Sequence, residues 1–202
     1  MTTAGPEIAT VVEGEGEVAA LPILLRRLAH HLGHWTARFP KPHRHHRGKL
    51  LSPGGLERVI DQVTLLNPFA TGILVLLDAD DDCPAALAPS LLTRARQARP
   101  DRRVAVVLPN REFEAWFLAA APSLAGVRGL PADLKAHPDP ESPRDCKGWL
   151  THQRTDGHSY RPTVDQSALA SEFDLETARQ HAPSFDKFCR DVESLLTGSE
   201  RL

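Results

Sequence analysis

Apolar positions along the chain fall into two kinds of run. At residues 8–12, 72–77 and 104–108 they are short, nearly continuous and rich in β-branched side chains, which predicts strands covered on both faces. Over residues 18–32 they recur instead every three or four positions, at Leu21, Leu24, Leu25, Leu28 and Leu32, as on one face of a helix. Leu56, Val59, Ile60 and Val63 mark a second helical stripe, and further helices are predicted over residues 85–96, from near Arg111, and over residues 165–171, 175–181 and 185–196. The β-α-β-α order predicts an α/β fold with a mainly parallel central sheet, helices on its faces and a helical C-terminal portion.

Two stretches break these patterns. Phe39-Pro40-Lys41-Pro42 ends any helix before a dense basic run, so residues 35–51 read as a loop or an edge strand. Residues 130–144 are rich in Pro, Asp and Glu and poor in apolar side chains, which predicts a surface excursion. The division expected is an α/β core over residues 1–128, an irregular excursion over 129–164, and C-terminal helices over 165–202 packing back on the core. A chain of 202 residues with 41% hydrophobic content is enough for one such compact domain.

Composition narrows the partners. A formal net charge of −2 supplies no global attraction for polyanions, so any nucleic-acid contact must come from local patches. Cys83, Cys146 and Cys189 form no C-x-x-C pair, which argues against a disulfide framework or thiolate zinc and for a cytoplasmic location. The first seven residues lack a basic and apolar leader, and no apolar run is long enough to cross a bilayer. Homo-oligomers stay possible.

Acids cluster where chemistry collects in open parallel sheets, at the carboxyl ends of strands. The first predicted strand ends in Glu13-Gly14-Glu15-Gly16-Glu17 and the second in Asp78-Ala79-Asp80-Asp81-Asp82. Asp78 and Asp80 project to one side if extended geometry persists, and Glu17 returns beside Glu13 if it lies in the first helical turn. Grouped carboxylates repel one another unless cations neutralise them, and hard oxygen donors select Mg2+, Mn2+ or calcium. Two such ions about 4 Å apart would suit in-line phosphodiester displacement. Against this, an isolated D-x-D often only caps a helix, the role expected for Asp81 and Asp82.

Val11-Val12-Glu13-Gly14-Glu15-Gly16-Glu17 followed by Leu76-Leu77-Asp78-Ala79-Asp80 resembles the Toprim pattern. Its E-G-x-x-E form is most similar to the overcoming-lysogenization-defect (OLD) type nucleases. Asn110 to Phe117, Lys147 within its surroundings, and Tyr160 to Gln166 resemble, across nearly the whole chain, an uncharacterised Toprim-like family numbered four-two-seven-six among domains of unknown function. The resemblance implies a Toprim-like Rossmannoid fold and a metal-dependent nuclease cutting DNA or RNA. It also implies an ATPase partner and a role in phage defence. It makes Glu13, Glu17, Asp78, Asp80 and Glu112 or Glu114 metal ligands, with Glu13, Asp78 and Asp80 catalytic. Lys147 would then stabilise charge at the phosphate. Residues two apart on a helix face nearly opposite ways, so only one of the two would face the metals; Glu114 is preferred, and the alternative for Glu112 is an early-turn acid complementing the helix dipole.

Lys41, Arg44, Arg47 and Lys49, interleaved with His43, His45 and His46, are the candidate phosphate-backbone contacts, their rival being a solvated loop. His30 and His34 stand at i, i+4, a zinc spacing that no cysteine or H-E-x-x-H supports. Trp35, Trp116 and Trp149 read as core or interface anchors. Two other classes compete with the nuclease: a non-catalytic Toprim subunit that docks an ATPase or nucleic acid, and a phosphoacceptor receiver domain around Asp78. The receiver is weakened because the first strand ends in Glu-Gly.

Overall fold

The computed structural model describes residues 5–199; residues 1–4 and 200–202, the outer ends of the first and last expected segments, lie outside it. Strands β1 (Ile8–Val12), β3 (Gly72–Leu76) and β4 (Arg103–Val107), with the two-residue edge strand β2 (His43–Arg44), form an all-parallel sheet in the order β2-β1-β3-β4. Alternate residues divide between two cores, as strand geometry requires. Ile8, Val12, Leu74, Leu76, Ala105 and Val107 face one way, toward helices α1 (Glu15–His31), α5 (Ala115–Ala119) and α9 (Pro183–Thr197). Ala9, Val11, Ile73, Val75, Val104 and Val106 face the other, toward α2 (Arg47–Leu51), α3 (Gly55–Leu66) and α4 (Pro84–Ala98). This is a Rossmann-like α/β layer structure with a helical C-terminal part.

The C-terminal helices α7 (Ser167–Glu172), α8 (Leu175–His181) and α9 complete the first core. Arg27 on α1 donates to the carbonyls of Ala170 and Phe173, both at 2.8 Å, and ties them to the sheet layer. Trp116 packs against Phe113, Phe185 and Phe188 with ring centroids 4.8–5.0 Å apart. Each such ring removes some 150–250 Å² from water, worth on the order of 4–6 kcal/mol before entropy. The turn carrying Glu112 and Glu114 is thereby anchored from below by the fully buried Phe113 between them.

The expected irregular stretch is more ordered than its composition implies. It contains α6 (Cys146–Gln153), capped by the Asp145 carboxylate accepting from Gly148 N at 2.6 Å, and buries Leu130, Leu134, Leu150 and Tyr160. Few apolar residues suffice because Asp165 supplies a buried polar anchor: it accepts from Arg128 Nε at 2.9 Å, Arg154 Nη1 at 3.1 Å and Arg161 N at 2.8 Å. The basic run likewise resolves into β2 and α2, joining the sheet edge through short pairing with Val11 and Val12.

Candidate active site

The turn after β1 shows why its glycines are needed. Glu17, in the first turn of α1, folds its carboxylate back so that Gly14 N donates to Oε2 at 2.5 Å, half of a capping box. A Cβ on Gly14 would stand only 2.8 Å from Glu17 Oε1, and one on Gly16 would stand 2.0 Å from Gln166 Oε1 and 2.9 Å from Pro162. The second glycine is therefore a packing contact with the C-terminal segment and not a phosphate cradle. Glu13 stands at the mouth of the turn with its Oε2 buried and without a hydrogen-bond partner.

Beyond β3 the extended geometry does not persist. Asp78 Oδ1 accepts from Phe113 N at 2.8 Å, Ala79 is fully buried, and Asp80 turns into the left-handed region with φ 51°. Strand parity thus no longer aligns the two aspartates. Arg47 fixes the loop instead: it donates to the carbonyls of Asp78 and Ala79, the latter at 3.3 Å, pairs with Asp82, and lies 3.5 Å from Asp80 Oδ2. Its side chain is only 15% exposed, so it is a clamp on the acidic loop and not a free phosphate contact. Asp81 and Asp82 do not cap α4, whose N-cap is Cys83; both are held by arginines.

Glu112 and Glu114 lie in the turn before α5, not within a helix, so they are not forced to opposite faces. Both reach Lys147. Its ammonium is 2.7 Å from Glu112 Oε1, 3.1 Å from Glu114 Oε2 and 3.9 Å from Asp78 Oδ2. The Glu114 contact is an ion pair without hydrogen-bond alignment, and Tyr160 Oη donates to its other oxygen at 2.8 Å. Lys147 N also donates to Glu112 Oε2 at 3.2 Å, because Lys147 sits in the first turn of α6 where backbone amides are unpaired.

Burial dominates the electrostatics. It raises the Glu13, Asp78 and Glu114 carboxyls; Arg47 opposes the rise at Glu13 while Asp80 and Glu17 add to it. Asp78 is driven well above the carboxylate range, with Glu114 and Glu17 reinforcing burial against the pull of Lys147. Burial pulls the Lys147 ammonium down, but Glu114, Asp78 and Glu112 outweigh it and hold the group above its ordinary value, hence charged. An all-oxygen donor set, raised carboxyls and the unpartnered Glu13 Oε2 are what a hard divalent cation would relieve, so Glu13, Glu17, Asp78 and Asp80 fit one chemically. Among the described residues no three His, Cys, Asp or Glu side chains form a ready ligand group, and the cation standing among Asp78, Glu112 and Glu114 is Lys147.

Around this centre, Lys41 and Arg44 line an open cavity of about 390 Å³ with Glu15, and Lys49 is exposed on α2. Arg44 pairs with Glu15 at 3.0 Å, and in the sheet it lies opposite Val12, one residue before Glu13. Of the four basic residues, Arg47 alone is seen to contact the acidic loop after β3. His30 and His34 join no ligand group among the described residues. Trp116 is core and its Nε1 donates to Ser184 at 2.8 Å, whereas Trp35 is 71% exposed and tilted against His30.

The sequence marks Tyr160 only as part of the family resemblance, and neither its bond to Glu114 nor the loop role of Arg47 is legible there. Tyr160 is the chain's single tyrosine, a hint only in retrospect, and nothing in a basic run distinguishes the arginine that turns inward. No curated protein and no solved structure matches the chain. A family model does, described as Domain of unknown function (DUF4276), over residues 12–193, a span that takes in Glu13, every other acid of the site, Lys147 and Tyr160. The chain belongs to that family.

Proposed function

We propose that the chain is a divalent-metal-dependent nuclease of Toprim type, hydrolysing phosphodiesters of DNA or RNA. The observation that carries the reading is the meeting of carboxylates from three strand ends with one charged lysine: Asp78 lies against both the Glu112–Glu114 turn and Lys147, and Glu13 and Glu17 are electrostatically coupled to the same group. Mg2+ or Mn2+, held by Glu13, Glu17, Asp78 and Asp80, would supply Lewis acidity toward a phosphoryl oxygen and acidify a bound water. The chain's own residues do the rest. Lys147, kept protonated by three acids, offers positive charge where a phosphoryl group gains negative charge. Tyr160 and Lys147 fix Glu114, and Phe113 N fixes Asp78, so the acids need little reorganisation. Lys41, Arg44 and Lys49, all exposed, would contact the phosphate backbone.

The test is cleavage of plasmid, single-stranded DNA and RNA with magnesium or manganese. Wild type should cut, and Glu13→Gln and Asp78→Asn should not; equal behaviour of all three on every substrate would refute the reading. The wider setting proposed with it is a cytoplasmic nuclease working with an ATPase in defence against phage, as the family resemblance implies. A second reading is favoured by Lys147 already neutralising Asp78, Glu112 and Glu114: a non-catalytic subunit whose acids are structural and which docks an ATPase or nucleic acid. It predicts complex formation that survives Asp78→Asn, with no cleavage by the assembled complex.

A further inference from the structure

We propose that Arg111 and Arg144 form a subsite for a phosphate flanking the one cleaved, with Asp81 as its displaceable counter-ion. The inference rests on the nuclease reading and extends it to residues outside the acid centre. An open cavity of about 360 Å³ adjoins that centre, lined by Asp80, Asp81, Arg111, Glu112 and Arg144. Two of its three carboxylates also face cations outside the cavity, which they share with further acids: Glu112 faces Lys147 at 2.7 Å and Asp80 faces Arg47 at 3.5 Å. Asp81 alone then answers two guanidiniums, Arg111 Nη1 at 3.0 Å and Arg144 Nη1 at 3.2 Å. Two guanidiniums thus converge on one carboxylate in the wall beside Glu112.

That arrangement is easily opened. Asp81 is 71% and Arg144 74% exposed, and ion pairs in such solvent exposure contribute about 0–1 kcal/mol. A phosphate, by contrast, matches the guanidinium fork bidentately and can engage both arginines at once. Arg111 is also held in place. It occupies the left-handed region at φ 68°, its carbonyl accepts from Asp80 N at 3.0 Å, and its Nη1 returns a bond to Asp80 O at 3.1 Å. Asp80 is itself left-handed, so two strained residues staple the loops after β3 and β4 together. The strain is retained where a rigid guanidinium faces the cavity. Arg144 lies three residues before Lys147, so one short segment presents a lysine to the acids and an arginine to the adjoining cavity. A polynucleotide with its scissile phosphate at Lys147 would lay a neighbouring phosphate over this arginine pair.

The experiment is fluorescence anisotropy with labelled single-stranded DNA and RNA oligonucleotides, calcium replacing magnesium, from 50 to 200 mM salt. Arg144→Gln and Arg111→Gln should each weaken binding about three- to tenfold and flatten the log–log salt slope by about 0.7 unit, the value of one single-strand phosphate contact. Asp81→Asn should tighten binding. Arg96→Gln, an equal charge change in the last turn of α4, should leave the slope unaltered and so excludes a net-charge effect. If Arg111→Gln fails to fold, Arg144→Gln decides, since that side chain is mostly in solvent. Wild-type slope and affinity in Arg144→Gln, in a protein that still cleaves with magnesium, would overturn the subsite and leave the nuclease reading standing. A wild type that neither binds nor cleaves would overturn both.

Discussion

Replacing Lys147 with methionine removes the cation that touches Asp78, Glu112 and Glu114 together while keeping the side chain's approximate length. Glu114 is fully buried, so its charge would lose its ion pair and keep only the Tyr160 hydrogen bond. Breaking a buried pair from one side costs about 3–5 kcal/mol. The Lys147 side chain is 35% exposed, and discounting for solvent screening leaves about 2–3 kcal/mol. In a chain of this size that lowers Tm by about 4–12 °C. The penalty has a definite pH dependence. Asp78 and Glu114 already have folded-state carboxyls above their unfolded values, chiefly through burial, and losing Lys147 raises them further. A raised carboxyl loses stability as pH climbs from the unfolded value through the folded one, so the Lys147→Met deficit grows from acid toward neutral pH. Urea denaturation, which adds no ionic strength, should give a deficit of about 2–3 kcal/mol at pH 8 that falls below about 1 kcal/mol near pH 4, where these carboxyls are protonated in both proteins. A deficit of equal size at both pH values, or none at pH 8, would refute the charge argument.

Arg47→Gln should destabilise by about 2 kcal/mol, the loss of several bonds from one buried guanidinium, and should weaken manganese binding measured by calorimetry. Coulomb's law alone predicts tighter binding when a cation leaves an acidic loop, so tighter binding would show that Arg47 does not position it. Gly16→Ala gains up to about 1 kcal/mol of helix propensity but forces a Cβ to 2.0 Å from Gln166 Oε1, and overpacking of about 1–3 kcal/mol should win in chemical denaturation. Unchanged or increased stability would mean the Gln166 contact yields freely. Burial pushes the Cys146 and Cys189 thiols up to about 12, whereas Cys83 is exposed. A thiol reagent at neutral pH should therefore label one cysteine in the native protein and three after unfolding, and rapid native labelling of Cys146 would contradict the packing of α6.

Much of the scaffold was legible because its signals are local. Continuous apolar runs located β1, β3 and β4, and stripes such as Leu21, Leu24, Leu25 and Leu28 located helices, since a buried face imposes its period directly on sequence. The same logic brought the acids to one sheet edge, because parallel strands all end there. The conformations at that edge were not legible. Asp80 leaves the extended region, Glu112 and Glu114 precede their helix, and Arg47 turns inward from a run of similar cations. Each depends on a partner distant in the chain: Arg111, Lys147 and the carbonyls of Asp78 and Ala79 respectively. Residues 129–164 looked irregular because their order comes from Asp165 and three arginines, a polar anchor that leaves no apolar period. The sequence by itself determined which residues are covered and along which periods, since burial acts on each segment separately. Only the tertiary structure decided which charges meet, because electrostatic partners are chosen by distance in space, and no spacing along the chain encodes that distance.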